Sequence, residues 1–131
     1  MYSEMIGLAF KARQNAYAPY SNFKVGACLK TKCGRYFLGC NIENASYSAT
    51  ICAERTAIFK AVSEGYTQFE SIVIVGGTGD DKDCQIITPC GVCRQALSEF
   101  CDKDFKIILA DGNKNSKVYT LADLLPNSFN L

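Results

Sequence analysis

Two hydrophobic rhythms alternate along the chain. Between Tyr2 and Gln14, Ile6, Ala9, Phe10 and Arg13 recur at helical spacing, with Met5 and Ala12 flanking the apolar face, which predicts a helix. Pro19 breaks that pattern within Ala16-Tyr-Ala-Pro-Tyr-Ser-Asn22. Val25–Lys30 and Tyr36–Cys40 read as strands, and Lys32-Cys-Gly34 between them supplies the turn of a β-hairpin. Asn41–Ala49 is polar and irregular, which predicts a loop. Helical composition returns over Cys52–Ser63 through Ala53, Ala57, Ile58, Ala61 and Val62, with Thr50 placed to cap it and Gly65 to end it. Ser71–Val75 contains Ile-Val-Ile-Val, the signature of a strand buried on both faces. A Gly/Asp-rich loop, Gly76–Cys84, follows. Then come a helix over Gly91–Phe100, a strand over Lys106–Ala110, a weaker strand over Val118–Thr120, and a short helix over Leu121–Leu125 stopped at Pro126.

The order is helix, hairpin, then helix and strand twice. It predicts an α/β fold: a single domain over residues 1–131 with a mixed five-stranded sheet and helices on both faces. Parallel neighbours need a crossover, and a helix usually makes it. The length of 131 residues suits one hydrophobic core, and no repeat or low-complexity segment interrupts it.

Charge narrows the partners. The formal net charge is +1 and no basic run appears, so binding to a long nucleic acid is not expected. No apolar run reaches the roughly 20 residues that span a bilayer, so no membrane partner is expected. The start, Met1-Tyr-Ser-Glu-Met-Ile6, lacks a basic segment followed by a long apolar core, and a cytoplasmic location is expected. In that compartment the eight cysteines stay reduced rather than forming a disulfide framework. The chain has no histidine, which excludes Ser-His-Asp and Cys-His catalysis within it and restricts any zinc site to thiolates and carboxylates.

The chemistry concentrates in two stretches, Thr50-Ile-Cys-Ala-Glu-Arg55 and Thr88-Pro-Cys-Gly-Val-Cys-Arg94. Cys90 and Cys93 are three residues apart, so one helical turn can put both sulfurs on one side. Cys52 offers a third thiolate. Three ligands leave the fourth tetrahedral position of zinc open, as a catalytic site requires. Both stretches fall at predicted helix starts, where unpaired N–H groups favour thiolate. Glu54, two residues from Cys52, is poorly placed to ligate the same ion and well placed to carry protons above it. Three thiolates overcompensate a dication, and Arg55 and Arg94 are the candidates to relieve that surplus. A redox Cys-x-x-Cys pair is the plainer alternative for Cys90 and Cys93. A closed four-thiolate structural site, with Cys84 as the further ligand, is another. Gly76-Gly-Thr-Gly79 is only a weak echo of a phosphate loop, because neither Lys-Ser nor Lys-Thr follows.

The pairing of Cys-x-Glu with Pro-Cys-x-x-Cys is the zinc nucleobase deaminase signature. Nearly the whole chain resembles one family in particular, the small homotetrameric cytidine deaminases. The match runs through Ala16-Tyr-Ala-Pro-Tyr-Ser-Asn-Phe23, Val25-Gly-Ala27, Gly39-Cys-Asn-Ile-Glu-Asn-Ala-Ser-Tyr47, Cys52-Ala-Glu-Arg-Thr-Ala57, Pro89-Cys-Gly-Val-Cys-Arg-Gln95 and Leu124-Leu-Pro126. The resemblance implies a cytidine deaminase-like three-layer sandwich with one zinc per chain on Cys52, Cys90 and Cys93. It implies Glu54 as the proton carrier. It further implies Asn41 and Glu43 on the ribose 3′-hydroxyl and Phe23 and Phe129 around base and sugar. Ala45 and Tyr47 would reach a neighbouring subunit's site, in a homotetramer with composite active sites. The implied reaction is hydrolytic deamination of cytidine and 2′-deoxycytidine in pyrimidine salvage. The alternatives are another aminopyrimidine nucleoside or an RNA base as substrate, and a noncatalytic zinc-stabilised interaction module. Two departures stand out. Thr88 occupies a position where Ser is common, and the loop from Gly76 to Ile87 is longer than in compact relatives.

Overall fold

The computed structural model describes residues 2–129 and 131. Five strands form one mixed sheet: β1 (Lys24–Thr31), β2 (Tyr36–Cys40), β3 (Phe69–Gly77), β4 (Lys106–Ala110) and β5 (Ser116–Thr120), in the spatial order β2-β1-β3-β4-β5. The β1–β2 hairpin turns at Gly34, whose φ of +93° a side chain would strain. Only β3 and β4 run parallel, and the helix α3 (Gly91–Phe100) makes the crossover between them. Helix α1 (Ser3–Arg13) precedes the hairpin, α2 (Ala53–Ser63) follows it, and a four-residue α4 (Leu121–Leu124) follows β5.

Strand periodicity sorts the core into two layers. Ile72 and Ile74 of β3 join Ala27, Leu29, Ile107 and Leu109 beneath α2 and α3, which contribute Ala57, Ile58, Ala61 and Leu97. Val73 and Val75 point the other way. They join Cys28, Ile108 and Ala110 beneath Met5, Ile6, Ala9 and Phe10 of α1. The expected three-layer α/β sandwich is therefore present, with β3 at its centre. Only Glu70 of that strand is exposed.

The strand runs further than Ser71–Val75, because Gly76 and Gly77 continue the pairing with Val25 and Lys24. β5 is likewise longer than Val118–Thr120. It pairs with β4 over five residues, but its polar, solvent-exposed start gives no apolar alternation to read. Thr50 does not cap α2. Cys52 is the N-cap residue, and the Thr50 hydroxyl instead accepts from the Asn44 N–H at 3.1 Å.

Two glycines let helices sit directly on strands. A Cβ on Gly26 would strike the Ala9 carbonyl oxygen and lie 2.6 Å from the Arg13 nitrogen in α1. A Cβ on Gly39 would strike the Ala53 carbonyl oxygen and lie 2.6 Å from the Ala57 nitrogen in α2. The second contact sets the height of the helix that carries Glu54. Gly39→Ala is expected to destabilise the fold by about 1–3 kcal/mol or more, since backbone cannot yield as a side chain does. Urea unfolding measures this, and an unchanged midpoint would contradict the close approach.

Candidate active site

Both cysteine stretches begin helices. Cys52 is the N-cap of α2 and Cys90 the N-cap of α3, where its sulfur accepts from the Cys93 N–H at 3.4 Å. The three sulfurs converge: Cys52 and Cys90 are 3.8 Å apart, Cys90 and Cys93 3.2 Å, and all lie within 4.8 Å of one another. A tetrahedral zinc with Zn–S bonds of about 2.3 Å needs sulfurs separated by about 3.8 Å. The donor set thus fits one zinc ion per chain. No fourth Cys, Asp or Glu ligand joins the cluster among the described residues, and Cys84 lies at the Gly77 end of β3. That arrangement suits an open site better than a closed one.

The charges around the sulfurs explain their state. Hydrogen bonding from Cys93 and then from Arg55 and Cys90 pulls the Cys52 pKa down to about 5. Cys93 moves the other way, because its thiol is held by the bond to Cys52 and is buried. Arg55 Nη2 donates to Cys52 Sγ at 3.5 Å, and its Nε is buried with no partner. Arg94 does not join it. Its Nε donates to the Pro89 carbonyl at 2.8 Å and its Nη1 to the Leu124 carbonyl at 2.7 Å, tying α3 to the end of α4.

Glu54 is 4% exposed. Because Cys52 stands just outside the helix with extended backbone, ordinary helical spacing does not separate the two side chains. Burial raises the Glu54 pKa to about 7, and the neighbouring Cys52 charge adds to that rise. A carboxyl in this range both gives and takes protons at neutral pH.

A cleft of about 330 Å³ opens over these groups. Phe23, Asn41 and Glu43 line it together with Cys52, Glu54 and Cys90. Asn41 is also structural: its Oδ1 accepts from the Val25 N–H at 2.9 Å and its Nδ2 donates to the Phe23 carbonyl at 2.7 Å. Glu43 accepts from the Ser21 hydroxyl and from the N–H groups of Tyr20 (3.0 Å) and Ser21 (3.2 Å). The Ser21 hydroxyl and those N–H groups hold its pKa below the usual carboxylate range. Val25, Ile87 and Thr88 are among the other residues that line the cleft. In the sequence Val25 and Ile87 read as ordinary apolar positions, and Thr88 stands out only as a departure from the Ser common there. Ala45, Tyr47 and Phe129 do not line this cleft. All three are exposed, Tyr47 to 84% and Phe129 to 65%. A larger hollow of about 590 Å³ between α3 and the segment after α4 contains none of the sulfurs or Glu54.

The family model for the cytidine and deoxycytidylate deaminase zinc-binding region matches residues 1–109. The chain belongs to this family. It is 44% identical over 126 residues to a cytidine deaminase of Sporosarcina psychrophila, spanning 96% of this chain and 89% of that protein. A probable cytidine deaminase of Dictyostelium discoideum is 47% identical over 124 residues, spanning 95% and 80%. The crystal structure of cytidine deaminase from Burkholderia pseudomallei matches with a TM-score of 0.90 at 44% identity, covering 98% of this chain and 99% of that one. The chain is an enzyme of the deaminase family, and the three-sulfur cluster lies within the family's matched zinc-binding region.

For a deaminase with this cluster, about one zinc per chain is expected. Cys52→Ala, Cys90→Ala and Cys93→Ala should each lose most of it, because two thiolates hold zinc far more weakly than three. Folding stability should fall with the metal. Elemental analysis of the purified variants checks this, and full zinc in all three would refute the ligand set.

Proposed function

We propose that residues 1–131 form one catalytic domain for zinc-dependent hydrolysis of cytidine and 2′-deoxycytidine to uridine and 2′-deoxyuridine, with release of ammonia. The observation that carries this reading is a buried carboxyl, Glu54, in one cleft with a three-sulfur cluster that leaves a ligand position open. The zinc, when bound, supplies Lewis acidity that makes water a usable nucleophile at neutral pH. Glu54 takes one proton from the attacking water and delivers it to the ring nitrogen, then takes the remaining proton of the hydroxyl so formed and passes it to the amino group, which leaves as ammonia. Arg55 offsets surplus negative charge at the thiolates. Phe23 provides an aromatic wall, and Asn41 and Glu43 meet the sugar's 3′-hydroxyl. A contact at that hydroxyl, which both sugars carry, accepts ribose and deoxyribose alike.

Homotetramers with composite sites are part of the same reading. Ala45, Tyr47 and Phe129 are exposed beyond their own chain's cleft, so a neighbour's cleft is where they would act. The setting proposed is pyrimidine salvage in the cytoplasm. No helix among the described residues is long and apolar enough to cross a membrane, which is compatible with that setting.

Ammonia release from cytidine tests the function directly. Sedimentation at four chain masses tests the assembly. Turnover of an aminopyrimidine antibiotic or an RNA base without turnover of cytidine would move the substrate. Zinc binding with no turnover of any of them would leave an interaction module. Glu54→Gln keeps the side chain's shape and a hydrogen bond but cannot shuttle protons. It should retain zinc and lose activity by at least about 10²–10⁴-fold. Zinc loss in this variant would make Glu54 a ligand or a folding residue, and preserved turnover would place the proton carrier elsewhere.

A further inference from the structure

Arg13, at the end of α1, is 3% exposed and carries no role in the chemistry above. Its guanidinium meets four acceptors. Nε donates to the Lys24 carbonyl at 2.9 Å, and Nη1 to Asp81 Oδ1 at 2.8 Å. Nη2 donates to the Gly77 carbonyl at 2.7 Å and to the Gly79 carbonyl at 2.6 Å. A buried charge persists only where it is paired and hydrogen-bonded in this way.

The acceptors belong to two segments that become the walls of the cleft. Lys24 stands between Phe23 and Val25, both lining residues. Asn41 holds the Phe23 carbonyl and the Val25 N–H, and Arg13 holds the Lys24 carbonyl. Side chains therefore fix polar groups of three successive residues. Gly77, Gly79 and Asp81 lie in the segment that leaves β3 and leads to Ile87, Thr88 and Cys90. Gly76 bridges to Gln85, and the Cys84 carbonyl accepts from the Gly112 N–H at 2.8 Å, so this segment is held at both ends. The two walls meet over Gly76. A Cβ there would lie 2.6 Å from Ile87 Cδ1 and 3.0 Å from Val25 Cγ2.

We propose that Arg13 is a positioning residue for the nucleoside cleft, setting the spacing between the Phe23–Val25 wall and the Ile87–Thr88 wall. The substrate named here rests on the function proposed above. The placement of the walls does not, so the test reads both.

Steady-state kinetics on cytidine, zinc content and amide hydrogen exchange are measured for the unsubstituted protein, Arg13→Gln and Arg13→Lys. In Arg13→Gln, KM should rise about tenfold, the scale of one charged hydrogen bond's worth of lost positioning. Its kcat should stay within about twofold, because the walls bind ground and transition state alike. Zinc should remain, and exchange should quicken at residues 23–25 and 84–88 but not across α2. Arg13→Lys, which keeps the charge but loses the planar fork, should fall between. An unchanged KM, exchange quickened equally across α2, or failure of both variants to fold would overturn the proposal and make Arg13 a stability residue alone. Absence of cytidine turnover in the unsubstituted protein, with the localised exchange pattern present, would overturn the substrate while supporting Arg13's control of the walls.

Discussion

Everything chemical in this protein depends on two helix starts meeting at one end of the sheet. Each start offers a sulfur at its N-cap, and neither could form the cluster alone. α2 reaches the meeting point because Gly39 lets it lie directly on β2. α3 reaches it because β3 and β4 are parallel, which forces a crossover that starts at the end of β3. Binding chemistry outside the carboxyl ends of strands in an open α/β sheet follows from the same geometry. The helix N-termini add a favourable field for thiolate, so topology and electrostatics select the same place.

Negative charge gathered there has to be managed. Cys52 is drawn to thiolate by Cys93, Arg55 and Cys90, while the bond to Cys52 and burial push the Cys93 thiol the other way. Glu54 shares the crowding and is kept partly neutral by burial. Arg55 is the cation that touches a cluster sulfur, and Arg94 holds carbonyl groups instead. Arg55 and Arg94 each follow a buried residue of the site, Glu54 and Cys93, yet Arg55 donates to the Cys52 sulfur while Arg94 donates to the Pro89 and Leu124 carbonyls.

Much of this was legible in the sequence. Residues with strong periodicity, such as Ile72–Val75 and Ile107–Leu109, announced their strands, and the Cys-x-x-Cys spacing announced a helix start. What escaped depended on partners far along the chain. Gly76 and Gly77 look like a loop, and only pairing with β1 makes them strand. The end of β5 is half-buried and its start exposed, so its strand character comes from β4 rather than from its own pattern. Glu54 reads as a surface glutamate by itself and is buried beside Cys52 and Cys93, where the starts of α2 and α3 meet. In the sequence Arg13 is only one position on a helical stripe. Its four acceptors lie between 11 and 68 residues away.

Asn41 and Glu43 show why a structural role does not exclude a chemical one. An Asn side chain has two N–H donors and an acceptor oxygen with two lone pairs. Asn41 spends one donor on Phe23 and one lone pair on Val25. One donor and one lone pair remain. Glu43 receives two N–H groups and one hydroxyl, against about four lone-pair sites on a carboxylate. Both residues therefore hold the loop and line the cleft with hydrogen-bonding capacity still unused. Their loop contacts also restrict their rotamers, so a ligand hydroxyl meeting them would cost less ordering entropy than it would with free side chains. Groups that brace a wall are for that reason well prepared to recognise what the wall encloses.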